Sequence, residues 1–393
     1  MKINVSIWET NIGFLSWDHE KDVSYFIFNN NLSRVYYNVI PLIPLKFKKQ
    51  SRPIYGIKNP IYKGLPAFIS DSVPDSLYGI TESDDVYKRE DCYKLYFNLL
   101  DKKAWGRIGA ITYGNNDNTY NIIEFSSIDE LICNSIELHK FGNTFISGRQ
   151  PKILFSKHLE TNRIVIGESM CYGEYDEFIL KLGENTSSLL GLEMTYYDMA
   201  AFAGINVVDA WLHEYNNCQH LILKRFDIAY GSKFHTQTLG AICPNATSYE
   251  SLFNVAKRIG LNNNDITELF RRLVFNILSY NTDDHNRNFS FLMNNKREWS
   301  LAPAYDMCFT FHYNSFIPKD KHSLTICGKN CNVRLKDIKY IANKYRIQNA
   351  EDIITDVVKA ILKFKCFAKK HCLDINLINL VSNYLFRNLH FFV

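Results

Sequence analysis

Two stretches near the start of the chain alternate, Val5-Ser6-Ile7-Trp8 and Val23-Ser24-Tyr25-Phe26-Ile27-Phe28. A period of two puts every second side chain on one face, so both predict half-buried strands. Asn29-Asn30-Asn31 predicts a turn between such runs. From Gly64-Leu65-Pro66 to Asp71-Ser72-Val73-Pro74-Asp75, two prolines and small polar residues predict a structured loop, with a helix near 85–100 behind it. Trp105-Gly106-Arg107-Ile108-Gly109-Ala110 closes this strand-rich segment, and Asn115-Asn116-Asp117-Asn118 predicts a boundary.

The next stretch, about 120–227, again favours strands, at Ile153-Leu154-Phe155, Phe178-Ile179-Leu180-Lys181-Leu182 and Leu221-Ile222-Leu223-Lys224-Arg225-Phe226. A helix is predicted over 188–204, with Leu189, Leu190, Met194, Tyr197 and Ala201 near one face. Beyond residue 240 the pattern turns helical. Ser248 can cap a helix that Gly260 stops. Ile266, Leu269, Phe270, Leu273, Val274, Ile277 and Leu278 then keep helical spacing over four turns, from Asn264 or Asp265 to about Tyr280. Ile353, Ile354, Val357, Val358, Ile361 and Leu362 predict another amphipathic helix. The expected domains are 1–115, strand-rich; 116–227, a second strand-rich lobe; and 228–393, a helical lobe.

Composition narrows the class. At 393 residues the chain is long enough for two or three domains. Apolar residues make up 46% and charged residues 22%, as in a globular protein. A formal charge of +4 is too small to argue for nucleic-acid binding by electrostatics alone. The ten cysteines form no CxxC pair, which favours thiols in a reducing cytoplasm over a zinc site. No run approaches the ~20 apolar residues of a membrane span, and the N-terminus has no signal-peptide pattern. A cytoplasmic protein with no membrane partner is expected.

Asn281-Thr282-Asp283-Asp284-His285-Asn286-Arg287-Asn288 follows the long amphipathic helix, and Leu301-Ala302-Pro303-Ala304-Tyr305-Asp306 comes after the next strand-like run. Phosphoryl transfer needs a carboxylate to orient the attacking hydroxyl and hard oxygens to hold Mg²⁺ against the phosphates. Asp283 can supply the first; Asn288, five residues on, and Asp306 can supply the second. Lys181 lies within an apolar strand and Glu193 on the following helix, an arrangement that can hold the α- and β-phosphates of ATP. Ser147-Gly148-Arg149-Gln150-Pro151-Lys152 offers further phosphate donors, although it is no Walker loop. Each piece has a bland reading: the Asn/Asp-rich loop is a helix-end turn, Lys181 an edge lysine that snorkels to water, and 147–152 a basic turn. Their order along the chain favours the kinase reading.

Taken together, these segments resemble the HipA-type kinases over nearly the whole chain. The resemblance rests on Gly64-Leu65-Pro66, Asp71–Asp75, Ile108-Gly109-Ala110, Ser147–Lys152, Arg225-Phe226-Asp227, Thr282-Asp283 with His285 and Asn288-Phe289-Ser290, and Leu301–Asp306. It implies an α+β, two-lobed, protein-kinase-like fold with an N-terminal strand-rich subdomain. It further implies that Asp283 is the catalytic base, that Asn288 and Asp306 are Mg²⁺ ligands, and that Ser147–Lys152 with Lys181 bind phosphate. Lys224-Arg225-Phe226 would form the hinge beside adenine; His285, Asn286, Arg287, Asn288 and Tyr305 would touch the nucleotide. The implied function is a Mg²⁺- and ATP-dependent serine/threonine kinase, the toxin of a toxin–antitoxin pair. Its partners would be a HipB-like helix-turn-helix antitoxin, DNA only through that antitoxin, and a protein substrate such as an aminoacyl-tRNA synthetase; a dimer within the antitoxin complex is open.

The chain departs from the family at three places. Phe145 stands where self-silencing members often carry serine, which leaves Ser147 as the autophosphorylation candidate and Thr144 behind it. Asp284 replaces a common glycine and Lys224 a common acidic residue; either could shift adenine or substrate preference. Two other functions compete: a pseudokinase-like scaffold that only holds an antitoxin, and a small-molecule kinase. Intact Lys181, Asp283, Asn288 and Asp306 argue against the first, and the N-terminal module against the second.

Overall fold

The computed structural model describes residues 2–8, 10–73, 93–101, 107–114, 123–135, 152–167, 173–183, 188–229, 231–312, 315–390 and 392. Ser147–Pro151, Thr144, Phe145, Pro74, Asp75, the boundary at 115–118 and the predicted helix before residue 93 lie outside them; Tyr93–Asp101 is helical. The chain divides into two compact units. The first comprises Met1–Leu182, Lys224–Pro244 and Leu292–Glu298; the second comprises Gly183–Leu223, Asn245–Phe291 and Trp299–Val393.

The first unit holds an antiparallel sheet built from β1 (Lys2–Ile7), β2 (Thr10–Asp18), β3 (Val23–Phe28), β4 (Ile54–Tyr55) and β5 (Ile111–Tyr113), in the order β4-β3-β2-β1-β5. The alternation works as predicted: Ile3, Val5 and Ile7 are fully buried, and so are Phe26 and Phe28. Phe26 meets Phe28 and Phe68 edge to face at 4.9 and 5.1 Å, a favoured ring geometry. The β2–β3 turn is closed by Asp18, whose Oδ1 accepts from the Glu20 and Lys21 amides, both at 3.0 Å. Gly13 faces Phe28 in register. An added Cβ there would stand 2.2 Å from the Ile27 carbonyl oxygen, so only glycine lets the strands pair. The loop expected at 64–75 contains one helical turn, Ala67–Ser70, with Phe68 and Ile69 turned inward.

The same unit carries β6 (Glu124–Phe125), β7 (Lys152–His158), β8 (Ile164–Ile166) and β9 (Tyr175–Lys181), neighbours in the order β9-β7-β8-β6. Phe155 stacks on its register partner Phe178 at 5.2 Å.

The second unit is mainly helical. Its helices are Leu189–Phe202, Tyr249–Arg258, Asn263–Leu278, Leu335–Tyr345, Ala350–Leu362, Phe364–Lys370 and Ile375–Leu389. Ser248 caps as expected, accepting from the Ser251 amide at 3.1 Å. The long helix starts earlier than predicted. Asn262 is its cap, accepting from the Asp265 amide at 3.0 Å, which leaves Asp265 in the first turn where a carboxylate suits the helix dipole. Its apolar stripe is buried as predicted. Leu189–Phe202 departs from the reading. Leu189 and Ala201 are exposed, while Leu190, Leu192, Thr195, Tyr196, Tyr197, Met199 and Ala200 are buried. A helix buried on most sides has no single apolar face for periodicity to find. The strand expected at 221–226 runs over Cys218–Lys224 and pairs with Ala210–Tyr215. Among the described residues, no helix is long and apolar enough to cross a membrane.

Candidate active site

In the second unit the chain leaves the helix Asn263–Leu278 through Ser279 and the left-handed Tyr280 (φ 57°) and enters a tightly bonded loop. The amides of Thr282 and Asp283 both donate to Thr310 Oγ1 at 3.1 Å. Thr282 Oγ1 donates to the Lys319 carbonyl at 2.8 Å. Inside the loop, the Asp283 carbonyl accepts from the His285 amide at 2.9 Å and from Asn288 Nδ2 at 2.8 Å.

The two adjacent aspartates go opposite ways. Asp283 is 55% exposed, with Oδ1 3.3 Å from Lys319 Nζ. Asp284 is buried. Its Oδ2 accepts from the Tyr249 hydroxyl at 2.7 Å and lies 2.8 Å from His322 Nδ1, and its Oδ1 accepts from the Ser323 amide at 2.7 Å. Burial, then the Asp284 charge, holds the Tyr249 phenol well above its ordinary pKa, so it stays a donor. Asn276 Nδ2 donates to the same hydroxyl at 3.0 Å, and Asn281 Nδ2 donates to Asn276 Oδ1 at 2.9 Å. Asp284 is therefore the anchor of the loop.

Asp306 adopts the left-handed conformation (φ 50°), costly for a non-glycine residue unless its surroundings hold it. Its amide donates to the Tyr197 hydroxyl at 3.0 Å, and that hydroxyl donates to Glu193 Oε1 at 2.6 Å. Burial, then the charges of Glu193 and Asp306, keeps Tyr197 protonated. One turn of helix thus carries a relay from Glu193 to the backbone of Asp306. Tyr305 donates to the Arg287 carbonyl at 2.8 Å and lies 2.5 Å from Ser290 Oγ. Arg272, buried in the long helix, binds Glu268 at 2.9 Å and the Ala302 carbonyl at 2.9 Å, fixing the approach to Pro303–Asp306. A small pocket is lined by Asn281, Asp284, Asn288, Tyr305 and Asp306 among others.

Asn288 and Asp306 fit a hard divalent cation. Both line this pocket, and Asn288 spends its amide nitrogen on the Asp283 carbonyl, so its Oδ1 is the atom left to coordinate. One amide and one carboxylate oxygen are what Mg²⁺ takes from protein when phosphate and water complete the shell. Of the other loop residues, His285 Nδ1 accepts from the Arg287 amide at 3.2 Å and Asn286 donates to the Ala246 carbonyl at 3.2 Å.

The first unit brings other expected residues together. Lys152 and Lys181 are direct partners in the β7–β9 register. Directly opposed residues share a sheet face, and like charges so placed repel. Lys181 is buried. Lys224 forms a surface ion pair with Asp176 at 2.9 Å. Arg225 lies past the end of its strand with its side chain fully buried. It grips Asp227 with two bonds of 3.0 and 2.8 Å and donates to the Arg107 carbonyl at 2.9 Å. Asp227 also accepts from the Gly109 amide at 2.7 Å. Glu177 stands 3.9 Å from the Arg225 guanidinium and accepts from Ser156 Oγ at 2.8 Å. Arg225 and Asp227 thus form a buried ion cluster, and the Arg225 amide donates to the Glu177 carbonyl at 2.9 Å.

Sequence reasoning passed over Arg272, Tyr197, Thr310 and Lys319. Arg272 had a signal, a charge on the apolar stripe next to Leu273. Tyr197 had a weaker one, four residues after Glu193 on the same helix.

A protein of Sinorhizobium fredii (strain NBRC 101917 / NGR234), named Putative kinase Y4dM, is 29% identical over 127 residues, spanning 31% of this chain and 30% of that protein. HipA in the Shewanella oneidensis MR-1 toxin–antitoxin complex of HipA, HipB and operator DNA superposes with a TM-score of 0.68 at 16% identity. The match covers 99% of this chain and 96% of that one, so the fold is the α+β, kinase-like HipA fold. The Helicobacter pylori proinflammatory kinase CtkA aligns over 58% of this chain and 90% of its own, at 14% identity and a TM-score of 0.40. The HipA-like C-terminal domain matches residues 144–364, more than half of the chain, and the protein belongs to that family.

Proposed function

We propose that this protein is a Mg²⁺- and ATP-dependent serine/threonine protein kinase and the toxin of a toxin–antitoxin pair. The observation that carries the reading is the split of Asp283 and Asp284: Asp284 locks the loop and lines a pocket together with Asn288 and Asp306, and Asp283, one residue earlier, is presented outward.

Asp283 orients the acceptor hydroxyl and takes its proton as the oxygen attacks the γ-phosphorus. The new P–O bond forms as the bond to the β,γ-bridging oxygen breaks, and ADP leaves with that electron pair. Lys152 and Lys181 hold phosphate oxygens. Asn288 and Asp306 hold Mg²⁺, which offsets phosphate charge when bound. Lys224–Phe226 lies beside adenine, and Ser147–Pro151 completes the phosphate loop. The parts 1–115, 116–227 and 228–393 serve as N-terminal subdomain, small lobe and large lobe.

The partner is a small helix-turn-helix protein, and DNA is engaged through it. The comparable HipA is found with HipB and operator DNA, and the charge of this chain is only +4. The protein acts in the cytoplasm on another protein. Ser147 is the residue modified if the kinase silences itself.

Incubation with Mg²⁺ and γ-labelled ATP in a cell extract tests the reading. Label on a protein serine or threonine is expected. Label only on a small molecule would replace the reading with a metabolite kinase, and no label with wild type would leave a binding scaffold. Intact-mass analysis of Ser147→Ala beside wild type tests self-modification.

A further inference from the structure

Lys319 lies outside every segment that carries the kinase reading, yet it stands closest in charge to Asp283. Its ammonium is 3.3 Å from Asp283 Oδ1. An exposed ion pair of this kind contributes little to stability, and long lysines usually roam. This one is pinned. The Lys319 amide donates to the Thr310 carbonyl at 2.9 Å, and the Lys319 carbonyl accepts from Thr282 Oγ1 at 2.8 Å. Thr310 in turn holds the Thr282 and Asp283 amides, and the Thr310 amide donates to the Tyr280 carbonyl at 3.2 Å. Phe311 and Pro318 bridge the two arms of this turn. Thr310 and Lys319 together clasp the loop that presents Asp283, and Lys319 carries the cation.

We infer that Lys319 is the positioning residue of Asp283: by holding Oδ1 it fixes the carboxylate and assigns Oδ2 to the acceptor hydroxyl. The inference rests on the reading of Asp283 as the group that orients the acceptor. A carboxylate on an exposed loop otherwise samples several rotamers, and few of them aim an oxygen at an attacking group. Lys319 acts through Asp283 and need not touch ATP.

The test is hydrolysis of γ-labelled ATP, with water as acceptor, by purified full-length protein. Wild type, Lys319→Met, Lys319→Arg, Asp283→Asn and the Asp283→Asn/Lys319→Met double variant are compared. Lys319→Met is expected to lower kcat about ten- to a hundredfold, with KM for ATP and the thermal midpoint unchanged. Lys319→Arg is expected to recover most of the rate. The double variant is expected to be no slower than Asp283→Asn, because a residue acting through Asp283 has nothing left to position. Wild-type kcat in Lys319→Met beside an inactive Asp283→Asn overturns this inference alone. A rise in KM with kcat unchanged overturns it too, and makes Lys319 an ATP ligand. A wild type that releases no label, or an Asp283→Asn that matches it, overturns both this inference and the reading beneath it.

Discussion

Asp283 and Asp284 are neighbours in sequence and opposites in environment: the Asp284 carboxylate is buried against Tyr249, His322 and the Ser323 amide, while Asp283 is 55% exposed. Glycine at 284 would leave the Tyr249 hydroxyl, the Ser323 amide and a buried histidine without their acceptor. Asp284→Gly is expected to destabilise by about 3–5 kcal/mol, the range for breaking a buried charged network, and Asp284→Asn by less. Urea denaturation measures this. Unchanged midpoints with an altered nucleotide preference would make Asp284 a specificity residue instead of an anchor.

Asp283→Asn is expected to cut phosphoryl transfer about 10²–10⁴-fold, the usual worth of a positioned base, while ATP affinity and stability stay near wild type. The side chain is exposed and its one ion pair is weak. Asn288→Ala and Asp306→Ala are expected instead to weaken ATP binding in Mg²⁺ and to leave metal-free binding almost unchanged. Titrations with and without Mg²⁺ separate the two classes. Equal affinity of wild type in both conditions would remove the metal assignment.

Tyr197→Phe deletes one oxygen that joins Glu193 to the Asp306 amide. The expected loss of stability is about 1–3 kcal/mol, since a buried carboxylate and a half-buried amide lose a partner. Asp306 sits at a positive φ that the relay helps to hold, so the Mg²⁺ dependence of ATP binding should weaken as well. A variant with lower stability and unchanged Mg²⁺ dependence would separate Tyr197 from the metal site.

His235 supplies a pH dependence. It is fully buried, its Nε2 is 2.9 Å from the Val39 carbonyl, and burial brings its pKa down from 6.5 to about 4. Between those values the unfolded chain binds a proton that the folded chain does not. Stability from this residue is therefore complete above pH 6.5 and lost as pH falls towards 4, by up to about 3 kcal/mol. His235→Gln should flatten the stability profile over that window. An equally steep profile in the variant would assign the acid sensitivity to other groups.

What could be read from the sequence follows the range of the physics involved. The buried stripe Ile266–Leu278 and the alternation in β1 and β3 show in the chain itself because each repeats a local period. The helix start was misplaced because Asn262, Asn263 and Asn264 all look like caps, and only the bond to the Asp265 amide decides among them. Asp283, Asn288 and Asp306 stand out as candidates by their spacing. The groups that hold them do not: Thr310, Lys319 and Tyr197 reach their partners across 27, 36 and 109 positions, where no local pattern survives. Arg225 was legible as a motif, but its inward turn depends on Asp227 and Gly109.

That inward turn also constrains how the chain is made. The bond from Gly109 to Asp227 and the bond from Arg225 to the Arg107 carbonyl each span 118 positions. Glu177 and the Gly109 amide must wait on the nascent chain until Arg225 and Asp227 have left the ribosome. Contacts of such separation form late and slow the search for the native state. A chain terminated at Leu182 would bury Glu177 with no guanidinium to meet it. The first unit should therefore resist expression as an N-terminal fragment, and premature termination before residue 227 should yield an aggregating product.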